Sequence, residues 1–379
     1  MTAPIGDDSE LVELAQILPA PYSSLLPELA SSLAPREHIA TCHDCAMRPR
    51  GEPVPGVDYF DPDSKCCTFH PSVPNFLVGA LLADTDPALD EGRRRVRDRI
   101  ARRLGATPRG LEPPRGYSMR YRALEPRGFG VARSLRCPLH DAAGGECTIW
   151  RFREATCLTF HCKHAHGADG LAYWASLQGA LAHAQRELAL LAMHRLGIDR
   201  GFVLGLTRRE PTADEIESEV TPDSVHRSMF GSWSGREEAF YLRCHEVVGA
   251  LSADEVARAV GTRGDVHAAE LAARLEAIRT PAMPACLERN PRLRAFPADG
   301  DRFLVAAFSD RQPLRLRRRL LRALDRFDGV TPTAQVLERI RAEDGFVVDA
   351  STVLRLWRHR ILQGGRCGDP GQDAGEPLR

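Results

Sequence analysis

Eight of the chain's eleven cysteines fall between residues 42 and 162: Cys42, Cys45, Cys66, Cys67, Cys137, Cys147, Cys157 and Cys162. Seven of the thirteen histidines lie in or beside the same span. That stretch is rich in Pro and Gly, and its regular elements read as short. A segment of this kind needs something besides an apolar core to hold it. The N-terminus has no basic start, and Asp7, Asp8 and Glu10 precede any apolar run. No secretory signal is read there, and the expected compartment is the reducing cytoplasm. Clustered thiols in that setting point to metal or redox chemistry rather than a disulfide framework.

The ligand arithmetic is specific. Cys42-x2-Cys45 is a metal knuckle, with two thiolates one turn apart. Cys137, Cys147, Cys157 and Cys162 offer four more donors. Cys66 and Cys67 are adjacent, so their side chains diverge and reach different metal atoms more easily than one. One zinc takes four ligands, and so does one [4Fe–4S] cluster. Eight cysteines therefore serve two sites or one polynuclear site. Spacing does not choose the metal, because all-thiolate sites suit both zinc and iron–sulfur. The expected cofactor is an iron–sulfur cluster, one or two, with zinc as the alternative. His161 is a further candidate ligand.

The cations add to this pattern. The chain holds 49 arginines and two lysines, Lys65 and Lys163. Each lysine abuts a clustered cysteine. A cation beside several thiolates offsets their charge, so Lys65 and Lys163, together with Arg153, are expected to support the ligands.

The elements CHDC, then CC, then RCPLHDAAGGECTIWRFREATCLTFHC carry a resemblance. Over roughly residues 42 to 165 the chain resembles the YkgJ-type cysteine-cluster family, described as zinc- or iron-chelating. Cys42, Cys45, Cys66, Cys67, Cys137, Pro138, Gly145, Cys147, Ile149, Arg153, Cys157, Phe160 and Cys162 carry it. Twenty residues separate Cys45 from the Cys66-Cys67 pair, a longer gap than the family pattern. Trp150 stands for the usual Tyr, and Glu154 and His161 stand where Pro is common. Members of this broad group include flagellin lysine N-methylases, so the resemblance implies a protein- or peptide-modifying role. No Gly-rich nucleotide loop is present, and no catalytic residue is named.

The rest of the chain is expected to be mainly α with little β. The domain reading runs as follows: an N-terminal helical segment (1–36), the cysteine-cluster domain (37–200), a helical middle (201–292), a winged-helix-like module (293–364) and a disordered tail (365–379). Trp174, Leu177, Leu181, Ala184, Leu188 and Leu191 mark an amphipathic helix over 171–196, stopped by Gly197. Residues 198–222 read as a linker, and Ser234 as the cap of the next helix. Ser252 to Glu255 is a capping box opening a short helix that Gly261 closes. In the last region, 302–309 suits a strand, 313–327 a helix, 331–341 a helix, 346–348 a strand, and 349–362 a helix capped by Asp349. Cys244 and Cys286 read as core residues, and Cys367 as a free thiol.

Formal charge balances at zero, which removes any global argument for nucleic acid. Locally the balance changes: residues 311–362 carry twelve Arg against six Asp and Glu, an excess of +6. Two partner readings follow. One is a protein or peptide partner. The other is a nucleic acid met by the Arg311–Arg360 region, with Arg355 and Arg358 on the last helix. A third role, redox sensing through Cys66 and Cys67, has less behind it. No window of 18 apolar residues exists, so no membrane span is expected.

Overall fold

The computed structural model describes residues 11–13, 35–49, 51–160, 162–309 and 313–367. The helical expectation for 1–36 and the tail expectation for 365–379 fall largely outside those residues. The fold is mainly α with some β, built around two apolar clusters. Among the described residues no helix is long and apolar enough to cross a membrane.

The chain enters through β1 (Leu11–Val12), which pairs antiparallel with β2 (Glu37–His38). After the turns that carry the first four clustered cysteines begins β3 (Val73–Pro74), leading into helix α1 (Asn75–Ala83). α1 reads NFLVGALLA and is buried on nearly every side, as its composition demands. Asn75 opens it: its Oδ1 accepts from Phe76 N, and its Nδ2 donates to Pro108 O and Ala189 O, both at 2.9 Å. One buried amide thus ties three segments together. Then come α2 (Asp90–Ala101), β4 (Ala106–Thr107), β5 (Gly110–Leu111) and α3 (Arg115–Leu124). The three short strands make an antiparallel sheet in the order β3-β5-β4.

The hairpin β6 (His140–Asp141) and β7 (Glu146–Cys147) precedes the short helix α4 (Ala155–Thr159). Helix α5 (Gly167–Arg195) then spans the body. Trp174, Leu177, Leu181, Ala184 and Leu188 are buried along one stripe, as the spacing predicts, and Leu191 is half-buried. Gly197 follows with φ +78°, the left-handed residue that ends the helix.

Residues 198–222 are not a linker. They hold α6 (Arg200–Arg208) and α7 (Ala213–Ser218), whose N-caps Asp199 and Thr212 accept from Phe202 N and Glu215 N. Helix α8 (Asp223–Phe230) follows, then α9 (Glu237–Gly249). Arg236, not Ser234, holds the N-cap position of α9, which no side chain caps, and Ser234 instead ends the preceding turn, its N–H donating to Gly231 O. Helix α10 (Ala253–Arg279) opens with the Ser252/Glu255 capping box. It breaks at Gly261, where φ is +61°, and resumes. Cys244 is fully buried in this core.

The second apolar cluster lies in the C-terminal module. It contains β8 (Cys286–Arg289), β9 (Arg294–Pro297), β10 (Arg302–Ala306), β11 (Leu314–Arg317), α11 (Arg318–Ala323), β12 (Asp328–Pro332), α12 (Thr333–Asp344), α13 (Ala350–Arg358) and β13 (Leu362–Gly364). These strands form two antiparallel sheets, β11-β10-β9 and β12-β8-β13.

Four expectations for this module change. Residues 313–327 are not one helix: Leu314 and Leu316 point into the core while Arg315 and Arg317 stay half-exposed, a period of two that makes a strand. The 346–348 strand does not form. The last helix, capped by Asp349 onto Thr352 N, ends at Arg358, and β13 pairs with β8 instead. Cys367 is not a free thiol but is disulfide-bonded to Cys286, across a Cα–Cα distance of 5.3 Å.

Candidate metal centre

The thiols are carried almost wholly by turns. Asp61 builds the first: its carboxylate accepts from Asp63 N (2.9 Å) and Ser64 N (3.0 Å) and pairs with Arg133. Its carbonyl accepts from Lys65 N, and Lys65 takes a left-handed φ of +52°. This turn presents Cys66 and Cys67. Cys137 N donates to Cys67 O at 2.7 Å, which stitches the second cysteine segment onto the first. The β6–β7 hairpin then delivers Cys147. Glu154 caps α4 by accepting from Thr156 N and Cys157 N, and so fixes Cys157 in the first turn.

Six of the eight cysteines line one cavity of about 320 Å³: Cys42, Cys66, Cys67, Cys137, Cys147 and Cys157. Its remaining walls are mostly apolar, with Phe69, Tyr121, Phe129, Leu139, Ile149, Trp150 and Phe160. Cys45 and Cys162 do not line it. Their thiols hydrogen-bond each other, and both sit within electrostatic reach of Cys66. All eight predicted ligands thus gather at one place, in two groups. Among the described residues, no three His, Cys, Asp or Glu side chains are placed to hold a single metal ion.

The sulfurs are met by backbone N–H groups. Leu139 N donates to Cys137 Sγ at 3.4 Å. Met47 N, Ile149 N, Cys147 N and Ala46 N meet Cys45, Cys147, Cys42 and Cys162 respectively. Such bonds favour the thiolate. Burial opposes them. It pushes the Cys137 thiol up to about 11 and that of Cys147 to about 12, and the Cys157 thiol well above its usual range. Cys45 goes the other way, to about 6, because Cys162 donates to it.

The cations occupy defined places. Lys65 is 5% exposed, donates to Gly145 O at 2.5 Å, and its charge favours the thiolates of Cys42 and Cys45. Arg153 stacks 3.5 Å over the Trp150 ring and donates to Trp150 O and Cys157 O. It acts on Cys42, Cys66 and Cys147. Lys163 instead pairs with Asp44, clamping the Cys42–Cys45 loop to the closing cysteine. His161 lies outside the described residues. His164 is buried, within electrostatic reach of His166 and His359.

The basic residues of the last helix are largely committed within the chain. Arg358 donates to Ile278 O and His166 Nδ1, and Arg360 pairs with Asp169 at 3.0 Å.

One cavity residue was absent from the ligand reading of the sequence: His140, 3% exposed, whose ring nitrogens have no hydrogen-bond partner. The signal that finds it is the hairpin D-A-A-G-G-E, which sets His140 opposite Cys147. Compared with protein-family models, curated proteins and solved structures, the chain gives no match.

Proposed function

We propose that the chain is a cysteine-cluster metalloprotein holding an iron–sulfur cluster, and that it binds or acts on a protein or peptide partner. The observation that carries the metal part is the gathering of six thiols on one cavity with the remaining two beside it. A mononuclear zinc site needs its donors around one point. No such trio exists among the described residues, whereas a cluster binds each thiolate to a different iron and so needs them spread around a volume. The backbone N–H groups on the sulfurs and the Lys65 and Arg153 cations fit an anionic cluster in the same way.

The partner part rests on the cavity's lip. Tyr121, Glu125, Pro126, Phe129 and Phe160 line it, and the same segments expose Met119, Leu124 and Val131. Four exposed apolar side chains, Phe160 included, on segments that line a thiol-bearing cavity suit contact with another chain.

The test is iron and acid-labile sulfide analysis on anaerobically prepared protein. About four or more iron with matching sulfide is expected. Cys66→Ser and Cys137→Ser should lose it, while Cys244→Ala keeps it. One or two zinc without sulfide would overturn the cluster.

A zinc-stabilised nucleic-acid binder is the second reading. Arg302 and Arg317 stand directly opposite each other on β10 and β11, and among the described residues neither has a carboxylate partner. Like charges so placed favour an anionic ligand. Steeply salt-dependent duplex binding, weakened by Arg302→Ala and Arg317→Ala, would support it.

A further inference from the structure

We propose that His140 is a direct ligand to the cavity's metal centre, an imidazole donor alongside the thiols that line the cavity. The inference rests on the cluster reading above and deepens it.

The position follows from register. In the β6–β7 hairpin His140 is the cross-strand partner of Cys147, and Asp141 is that of Glu146. Residues directly opposite in an antiparallel pair project to the same face, and neighbours along a strand project to opposite faces. His140 and Cys147 therefore point together into the cavity, and both line it. Asp141 and Glu146 turn to solvent, where Glu146 meets His43.

The imidazole is set apart by its place on the cavity wall. Both ring nitrogens are buried and without a hydrogen-bond partner. The backbone of His140 is fully used, its N–H on Cys137 O and its carbonyl accepting from Arg95. Only the ring is left over. Buried polar groups are nearly always bonded, and an orphaned pair of ring nitrogens on a cavity wall is open to a ligand from outside the chain. Imidazole is a common metal ligand, and iron accepts it. In a cluster a single histidine replaces one thiolate at one iron, so it need not converge with three other donors on one point.

The experiment compares full-length wild type with His140→Ala and His140→Cys, all prepared with iron and sulfide under anaerobic conditions. Electron spin-echo spectroscopy of the reduced protein reads nitrogen coupling to the cluster. Imidazole coupling is expected in wild type and its loss in both variants. His140→Cys should retain the cluster with a shifted absorption spectrum, which separates ligation from folding. Cluster-loaded wild type without nitrogen coupling, or coupling that persists in His140→Cys, overturns the inference alone. Wild type without iron and sulfide overturns the cluster reading and this inference together.

Discussion

Gly167 sits so close to Arg358 that a β-carbon on the glycine would lie 2.5 Å from the arginine's carbonyl oxygen. The first residue of α5 therefore abuts the last residue of α13, and the positive end of one helix meets the negative end of the other. Gly167 also has φ +56°. It is the seal between the main body and the C-terminal module.

Gly167→Ala is expected to destabilise by at least about 2 kcal/mol, from the left-handed backbone and the backbone contact together. Gly197 is the internal control. It too has a positive φ, +78°, but a β-carbon there meets nothing within 4 Å. Gly197→Ala should cost only about 1 kcal/mol. Denaturant unfolding of the two variants measures the difference. Proteolysis in residues 280–285 should accelerate for Gly167→Ala alone. Equal costs at the two glycines would remove the seal.

Lys65→Met keeps the aliphatic stem and removes the ammonium. Gly145 O then loses its donor, at a cost of about 1–3 kcal/mol. The thiolates of Cys42 and Cys45 lose a neighbouring cation. The expected result is faster iron release to a chelator than in wild type, with Lys65→Arg in between. A release rate unchanged in Lys65→Met would show that the buried lysine serves the turn and not the thiols.

How much of this was readable in advance depends on the range of the forces involved. The stripe from Trp174 to Leu188 and the Ser252/Glu255 box are local, and both appear where the sequence puts them. The gathering of the eight cysteines was also readable, because thiols at such density have few other uses. The Asp199 and Thr212 caps were equally local and were passed over because the apolar pattern after them is weak. Leu314 to Arg317 is only four residues, too short for a period of two to stand out against the arginine-rich helix beside it. His140 needs the hairpin register before its direction has meaning.

The Cys286–Cys367 pair is a different case, with a sequence separation of 81 between its members. No local signal joins them. The bond ties the segment after β13 back to β8 and closes most of the C-terminal module into one loop. Cys367→Ser is expected to lower that module's stability by about 2–4 kcal/mol. Thiol titration of the denatured, unreduced apo-protein should give nine free thiols, the number left when the pair is bonded. Eleven thiols and a fully stable variant would count against the bond.

Glu37 gives the pH prediction. It is 1% exposed and accepts from Ala165 N (2.6 Å), His38 N (3.0 Å) and Trp174 Nε1 (3.3 Å), so it joins β2 to α5. Burial raises its carboxyl from 4.5 to about 7. The folded chain therefore holds a proton that the unfolded chain has released between those two values. Stability falls as pH rises through that window, and levels off above it once both states are ionised. The full effect is roughly 3 kcal/mol. Buried His164 and His359, lowered to about 4 and about 3, pull the other way, since they lose stability as pH falls. They are common to wild type and Glu37→Gln and cancel in the difference. The stability of Glu37→Gln relative to wild type should thus climb from pH 4.5 to 7 and then stay flat. Denaturant unfolding of both proteins at several pH values reads it directly. A difference that does not change with pH would mean that Glu37 is ionised in the fold, held by its three donors against the cost of burial.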